Sequence, residues 1–337
     1  MILTQNVSLQ PYHTFACKVN AKYFTRITAP KDIEAVVQWG KLNELPILLI
    51  GSGSNLLFTK DINALVAKME IMGIKKIEET PTYVQLSVGA GENWHHFVSY
   101  CVQKSWGGLE NLSLIPGTVG ASPIQNIGAY GVEVQELIRS VTAYDSLSGN
   151  WVTLTKQDCA FEYRSSIFKK EKSRYIISEV LFQLQKQPQF RTDYGAIREV
   201  LHDKGIKQPS LEAISNAVIQ IRTSKLPNIK KLGNAGSFFK NPTISKAQAE
   251  TLKEKFPNIV AYPISDDAYK ISAEWLIIAC DWKNKATKQV GCYDQQALVL
   301  VNYGEASGLE IFDFSEAILR SVKDKFNITL EREVNVI

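Results

Sequence analysis

The chain has 337 residues, 45% of them hydrophobic and 21% charged, with a formal net charge of +4. That length predicts two or three domains, and the composition excludes fibrous and disordered classes. Lysines and arginines are interspersed with acids, so no basic stripe for nucleic acid stands out and only a mild attraction for anionic ligands is expected.

The opening MILTQNVSLQPYHTF lacks a basic start followed by an apolar run. No window approaches the roughly 20 apolar residues of a membrane span, so a soluble, unprocessed protein with no membrane partner is expected. A helix is predicted from Ala29-Pro30-Lys31-Asp32 onward, with Ile33, Val36, Val37 and Leu42 on its apolar face. PILLI (46–50) reads as a buried strand, followed by the glycine turn GSGSN (51–55) and then by LLF rather than a helix. Leu56 stands where a dinucleotide fingerprint needs its third glycine, and no Gly-Lys-Ser/Thr follows, so neither a Rossmann motif nor a phosphate loop of the ATPase type fits.

YVQLSVGAGENWHHFVSYCVQKSW alternates through Val84, Leu86 and Val88, breaks at Gly89 and Gly91, and turns helical from Asn93 or Trp94. In LENLSLIPGTVGASPIQNIGAYGVE, Ser122-Pro123 reads as the cap and first position of a helix whose free amides would face Gly117 and Gly120, a geometry that holds phosphates. VTAYDS, WVTLT and YIISEVLFQLQ alternate as strands, and LEAISNAVIQIRTSKLP reads as a helix. A boundary is expected near Lys225-Leu226-Pro227. Beyond it lie helices around AQAETLKEKF, SAEWLIIAC and FDFSEAILRSVKDKF, a strand QALVLVN and a terminal strand ITLEREVNVI.

The five cysteines (Cys17, Cys101, Cys159, Cys280, Cys292) are widely spaced and contain no Cys-x-x-Cys pair, which argues against a disulfide framework or a structural zinc and for reduced thiols. His95 and His96 would point about 100° apart on a helix, poorly placed to share a metal; no metal is expected. In GNAGSFFKNP (233–242), Ser237 has no histidine downstream to serve as its base. Ser237-x-x-Lys240 matches the acylating Ser-x-x-Lys pattern, but no Lys-Thr-Gly accompanies it, and a turn entering a strand would send the two side chains to opposite faces. Arg164 could clamp a carboxylate. Period-two alternation of the last strand sets Leu330, Arg332, Val334 and Val336 against Glu331, Glu333 and Asn335.

Taken in order, GSGSN, GAGENWHHFV, GLENLSLIPGTVGASPIQNIGAYGVE, FEYRSSIFK, RTSKLP, GNAGSFFKNP and the closing LEREV resemble the UDP-N-acetylenolpyruvoylglucosamine reductase family over essentially the whole chain. The resemblance implies an α+β fold: two FAD-binding subdomains of the vanillyl-alcohol-oxidase (PCMH-type) kind, residues 1–70 and 71–224, plus an α+β substrate-binding domain, 225–327, with 328–337 returning towards the active site. It also implies a cytoplasmic, monomeric flavoprotein of peptidoglycan synthesis. NADPH would reduce bound FAD, which would then reduce the enolpyruvyl sugar nucleotide to UDP-N-acetylmuramate.

By the same resemblance Arg164 polarises the substrate carboxylate, Glu333 holds or protonates the developing enol, and Ser237 gives the proton to carbon. FAD contacts would come from Gly51, Ser52, Gly53, Ser54, Asn55, Gly117, Thr118, Gly120, Ala121, Ser122, Ile124 and Gly128, with glycines at 51 and 53 leaving room for the pyrophosphate. Tyr194, Arg222, Lys225, Asn241 and Tyr262 would grip the substrate, Lys225 also meeting NADPH phosphates. The Tyr194-Gly195 loop and the Tyr262-Pro263 segment place the chain in the family's longer-looped type, in which a tyrosine lid closes over substrate. Two departures stand out: Glu274 where relatives commonly have glycine, which puts the local packing in doubt, and Asn284 where they have glycine in Lys-Gly, a residue that tolerates a left-handed turn.

Overall fold

The computed structural model describes residues 1–337, which divide into two compact units: Met1–Val7 with Ala21–Ser52 and Ile62–Arg222, and Ser8–Asn20 with Gly53–Asp61 and Thr223–Ile337. In the first unit, strands Asn20–Ile27 and Ile47–Ile50 both run parallel to the strand Ile62–Met69 between them. Helix Pro30–Leu42 makes the crossover between the two strands that flank Ile62–Met69. Proline opens that helix, and Asp32 accepts from the Ala29 amide, so its N-terminal donors are partly satisfied. Ile33, Val36 and Val37 are buried as the periodicity predicts, whereas Leu42 is exposed because the apolar stripe has rotated away by the last turn.

A second, antiparallel sheet has the strand order Asn150–Thr155, Ile138–Asp145, Tyr175–Gln185, Tyr83–Gly89, Ile74–Glu79. Helix Trp94–Gln103, capped by the Asn93 side chain accepting from the His96 amide at 3.0 Å, contributes Trp94, Phe97, Val98 and Cys101 to a core shared with Val84, Leu86, Val88, Val180 and Phe182. Helices Gly195–Asp203 and Leu211–Lys225 bury a small cluster of their own around Ile197, Ile214 and Val218.

The Ser122-Pro123 helix does not form. Val119–Ala121 is one 3-10 turn, and Ser122 lies at its end, its hydroxyl donating back to the Val119 carbonyl at 2.8 Å. Asn126, with φ +43, then takes the chain out of helical space.

In the second unit, strand Gly233–Ser237 pairs antiparallel with Gln296–Asn302, which also pairs with Val290–Tyr293. Thr243–Ser245, Ala268–Ile271 and Ala261–Ser265 form a smaller antiparallel sheet. Helices Lys246–Lys255, Ala273–Ala279 and Gly308–Phe326 complete the unit around Phe238, Phe239, Leu276, Leu300, Ile311 and Ile318. The terminal strand is far shorter than its alternation predicts: only Asn335–Val336 forms, parallel to Leu56–Leu57, with an isolated bridge from Arg332 to Phe239 before it. Asn284 sits at φ +62, the left-handed turn that asparagine tolerates. Glu274 occupies the first turn of helix Ala273–Ala279, where its charge faces the positive end of the helix dipole. All five cysteines are free.

Candidate active site

Three groups of the expected site residues lie in the first unit. At the start of the glycine turn, a β-carbon on Gly51 would stand 2.7 Å from Thr118 Oγ1, and Ser52 Oγ is shielded from solvent without a hydrogen-bond partner. A shielded hydroxyl of that kind is costly unless something accepts or donates to it. The amides of Val119, Gly120, Ala121 and Ser122 are already spent on the carbonyls of Glu92, Ala90, Thr118 and Val119, so the free amide cluster predicted there does not exist. Gly120 is needed for packing instead, since a β-carbon would lie 2.5 Å from the β-carbon of Ala90.

Arg164 has the left-handed φ of +54 in the tight turn between Glu162 and Ser165, a strained setting of the kind found where a side chain must be aimed. Its Nη2 donates to the Gly128 carbonyl at 2.9 Å, and Lys169 Nζ donates to its carbonyl at 3.1 Å. A β-carbon on Gly128 would come within 3.2 Å of the guanidinium. Ile124, half-exposed, gives its carbonyl to the Ser166 hydroxyl at 2.7 Å.

Arg222 Nε donates to the Leu114 carbonyl at 3.3 Å, and burial pulls its pKa below the usual guanidinium value, opposed by the Tyr130 phenol to which it bonds. The ring of Tyr194, the residue before helix Gly195–Asp203, meets Tyr130 edge-on at 5.3 Å. Sequence reasoning missed Tyr130. Its signal was a bulky tyrosine before a glycine in Gly128-Ala129-Tyr130-Gly131, and Tyr130 indeed holds φ +50, which a large side chain adopts only under constraint. The Leu114 amide donates to His95 Nδ1 at 3.0 Å, and burial holds that imidazole below its ordinary pKa, hence neutral.

In the second unit Gly53 has φ +65, and a β-carbon there would stand 2.1 Å from the Tyr12 carbonyl oxygen. The atoms that forbid side chains at 51 and 53 are thus protein atoms, not an empty approach reserved for phosphate. Ser237 ends its strand after Gly236, whose φ of +71 favours glycine and whose amide donates to Asn234 Oδ1 at 3.0 Å. Next to it, the Phe238 carbonyl accepts from the Glu333 amide and the Glu331 carbonyl from the Lys240 amide, both at 2.8 Å. This pairing brings the backbone of Glu333 alongside the Ser237 segment. The Glu333 carbonyl accepts from Asn55 Nδ2 at 3.2 Å, tying the same strand to the glycine turn.

Lys240 forms an ion pair with Glu331, which leaves it engaged away from any role as a base for Ser237. Asn241 Oδ1 accepts from the Ala273 amide at 2.9 Å, Tyr262 is exposed on the strand Ala261–Ser265, and Lys225 is exposed at the end of its helix.

A shielded, unpaired Ser52 hydroxyl in a glycine turn fits a polyoxyanionic cofactor, and the sequence model of the FAD binding domain matches residues 21–155, which contain that turn. The class is therefore an α+β protein with an FAD-binding domain. A second model, that of the UDP-N-acetylenolpyruvoylglucosamine reductase C-terminal domain, matches residues 227–337. Along its whole length the chain is 46% identical to the UDP-N-acetylenolpyruvoylglucosamine reductase of Amoebophilus asiaticus, covering 100% of both. It is 42% identical to that of Pseudomonas aeruginosa, covering 99% of this chain and 98% of the other. The chain belongs to the UDP-N-acetylenolpyruvoylglucosamine reductase family. A crystal structure of the Thermus caldophilus enzyme superposes with a TM-score of 0.68 over 99% of each chain at 19% identity, which speaks for the fold.

Proposed function

We propose that this chain reduces UDP-N-acetylglucosamine enolpyruvate to UDP-N-acetylmuramate for peptidoglycan synthesis, with FAD as bound carrier and NADPH as reductant. The observation that carries this reading is family membership across the full chain, at 46% identity to a curated reductase. Within it, we assign residues 1–70 and 71–224 to two FAD-binding subdomains of the vanillyl-alcohol-oxidase type and 225–327 to the substrate domain. We take the protein as a cytoplasmic monomer; no helix is long and apolar enough to cross a membrane.

Ser52, with the backbone of Gly51–Asn55, would hold the cofactor pyrophosphate, and Thr118, which packs on Gly51, would shape that turn. Gly117, Ala121, Ser122, Ile124 and Gly128 would line the cofactor without free amides, and Gly120, packed on Ala90, would hold that wall in place. Bound FAD, once reduced by NADPH, would supply a hydride to the terminal vinyl carbon of the substrate. Negative charge then builds on the neighbouring carbon and its carboxylate, and this chain's residues must stabilise and quench it.

Arg164 would polarise the carboxylate, Glu333 would steady the enol form, and Ser237 would donate its hydroxyl proton to carbon. A weakly acidic hydroxyl suffices against a carbanionic carbon if its placement is fixed, and the φ of Gly236 and the strand pairing of Ser237 fix it. Arg222, Lys225, Asn241, Tyr194 and Tyr262 would hold the sugar nucleotide, with the exposed tyrosines free to close over it. Because desolvation strengthens a cation's attraction for phosphate, Arg222 suits the diphosphate best.

The test is anaerobic. Purified protein should be yellow, NADPH should bleach it, and the enolpyruvyl sugar nucleotide should restore the colour with formation of one product per flavin. Bleached protein that stays colourless with that substrate would overturn the assignment.

A further inference from the structure

We propose that Arg332 is a positioning residue that sets the Glu333 carboxylate beside the Ser237 segment. This rests on the catalytic reading of Ser237 and Glu333 given above. Around Glu333 the strand pairing is short: one bridge, Arg332 to Phe239, closed by the Glu333 amide on the Phe238 carbonyl and the Lys240 amide on the Glu331 carbonyl, and no strand until Asn335. One bridge gives little resistance to a slip in register, and a slip of one residue would turn Glu333 to the other face.

Arg332 supplies the missing hold. Its Nε donates to Ser315 Oγ at 2.9 Å, its Nη2 forms an ion pair with Glu316, and its guanidinium lies 4.5 Å from the centre of the Phe312 ring. The three partners stand on one face of helix Gly308–Phe326, at spacings of three and four. That helix is a firm base: Ser315 is fully buried, Ile311 and Ile318 are core residues, and a capping box at Ser307 closes its start. A planar fork engaging two acceptors and a ring fixes direction as well as distance.

The next residue is fixed from the other side. The Glu333 carbonyl accepts from Asn55 Nδ2, and the Asn55 carbonyl accepts from the Asn335 amide at 3.1 Å. Glu333 is therefore strung between the Arg332 anchor and the glycine turn. The neighbouring Lys240–Glu331 ion pair is a poor substitute, because the Glu331 side chain is 70% exposed and screened by water.

The experiment places Arg332→Met and Arg332→Lys in the native chain and in a Glu333→Gln background, reading kcat, KM, bound FAD and melting temperature. In the native chain Arg332→Met should lower kcat about 10-fold with KM and FAD content unchanged, the pattern of a lost transition-state interaction. Lysine should restore most of it. With Glu333→Gln already present, adding Arg332→Met should cost less than about 2-fold, since residues acting as one unit are not additive. Equal losses in both backgrounds, or a loss that only follows FAD content and melting temperature, would reduce Arg332 to a structural brace and overturn the proposal. If Arg332→Met does not fold, Glu316→Gln, which weakens the ion pair alone, should show the same dependence on Glu333 at about 3-fold. A Glu333→Gln enzyme at native rate would instead overturn the catalytic reading and this inference with it.

Discussion

The two glycine-rich segments, Gly51–Asn55 and Gly117–Ser122, look alike in sequence and do different work. In the first, Ser52 Oγ is shielded and has no partner within the protein, so it is left over for a water or a ligand. In the second, every amide from Val119 to Ser122 is satisfied by the protein, and Gly120 exists to let two backbones touch. Glycine content alone marks close approach; whether the approach is to a ligand or to the chain itself is decided by the hydrogen bonds left over.

Substitutions can break that contrast in graded steps. Gly53→Ala should be the most damaging, because it adds left-handed strain to a contact of 2.1 Å with Tyr12 oxygen; a loss on the order of 4 kcal/mol or failure to fold is expected in a denaturant titration. Gly120→Ala should cost about 1–3 kcal/mol, with FAD affinity intact in the fraction that folds. Ser52→Ala should do the opposite, weakening FAD binding about 10-fold by fluorescence titration while leaving stability unchanged or raised, since it removes an unsatisfied buried hydroxyl. A Ser52→Ala protein that binds FAD normally would place that turn with the packing glycines.

Smaller effects sharpen the picture. His95 and His13 both have pKa values lowered first by burial, so the unfolded chain binds more protons than the folded one below the ordinary histidine range. Their contribution to stability is therefore full above about pH 6.5 and is lost as pH falls through and below it. His95→Gln, which keeps an acceptor for the Leu114 amide, should flatten that acid limb in melting curves; an unchanged limb would contradict the assignment. Asn284→Ala should cost about 1 kcal/mol at its left-handed φ, and Asn284→Gly should cost nothing.

Much of the fold was legible because periodicity reports burial. Helices Pro30–Leu42 and Trp94–Gln103, strand Ile47–Ile50 and strand Tyr175–Gln185 all follow from apolar spacing. What was not legible came from long-range partners. The Ser122-Pro123 signal has the composition of a helix start, yet the Ser122 hydroxyl bonds backward and Asn126 turns the chain. The last strand alternates well over ten residues but finds pairing partners only at Phe239 and at Leu56–Leu57. Tyr130 escaped because one tyrosine in a turn carries no pattern, and only Arg222 and Tyr194 around it give it meaning. The glutamate and serine of the proposed chemistry came from motif resemblance; the pairing of Glu333 with Phe238 gives that resemblance a physical setting.

The most direct test of the account is a single anaerobic turnover of Ser237→Ala. NADPH should bleach its flavin at the native rate, and the subsequent return of colour with the enolpyruvyl sugar nucleotide should slow by about 100-fold or more, the scale of a lost proton donor. Recolouring at the native rate would contradict the claim that the Ser237 hydroxyl delivers the proton.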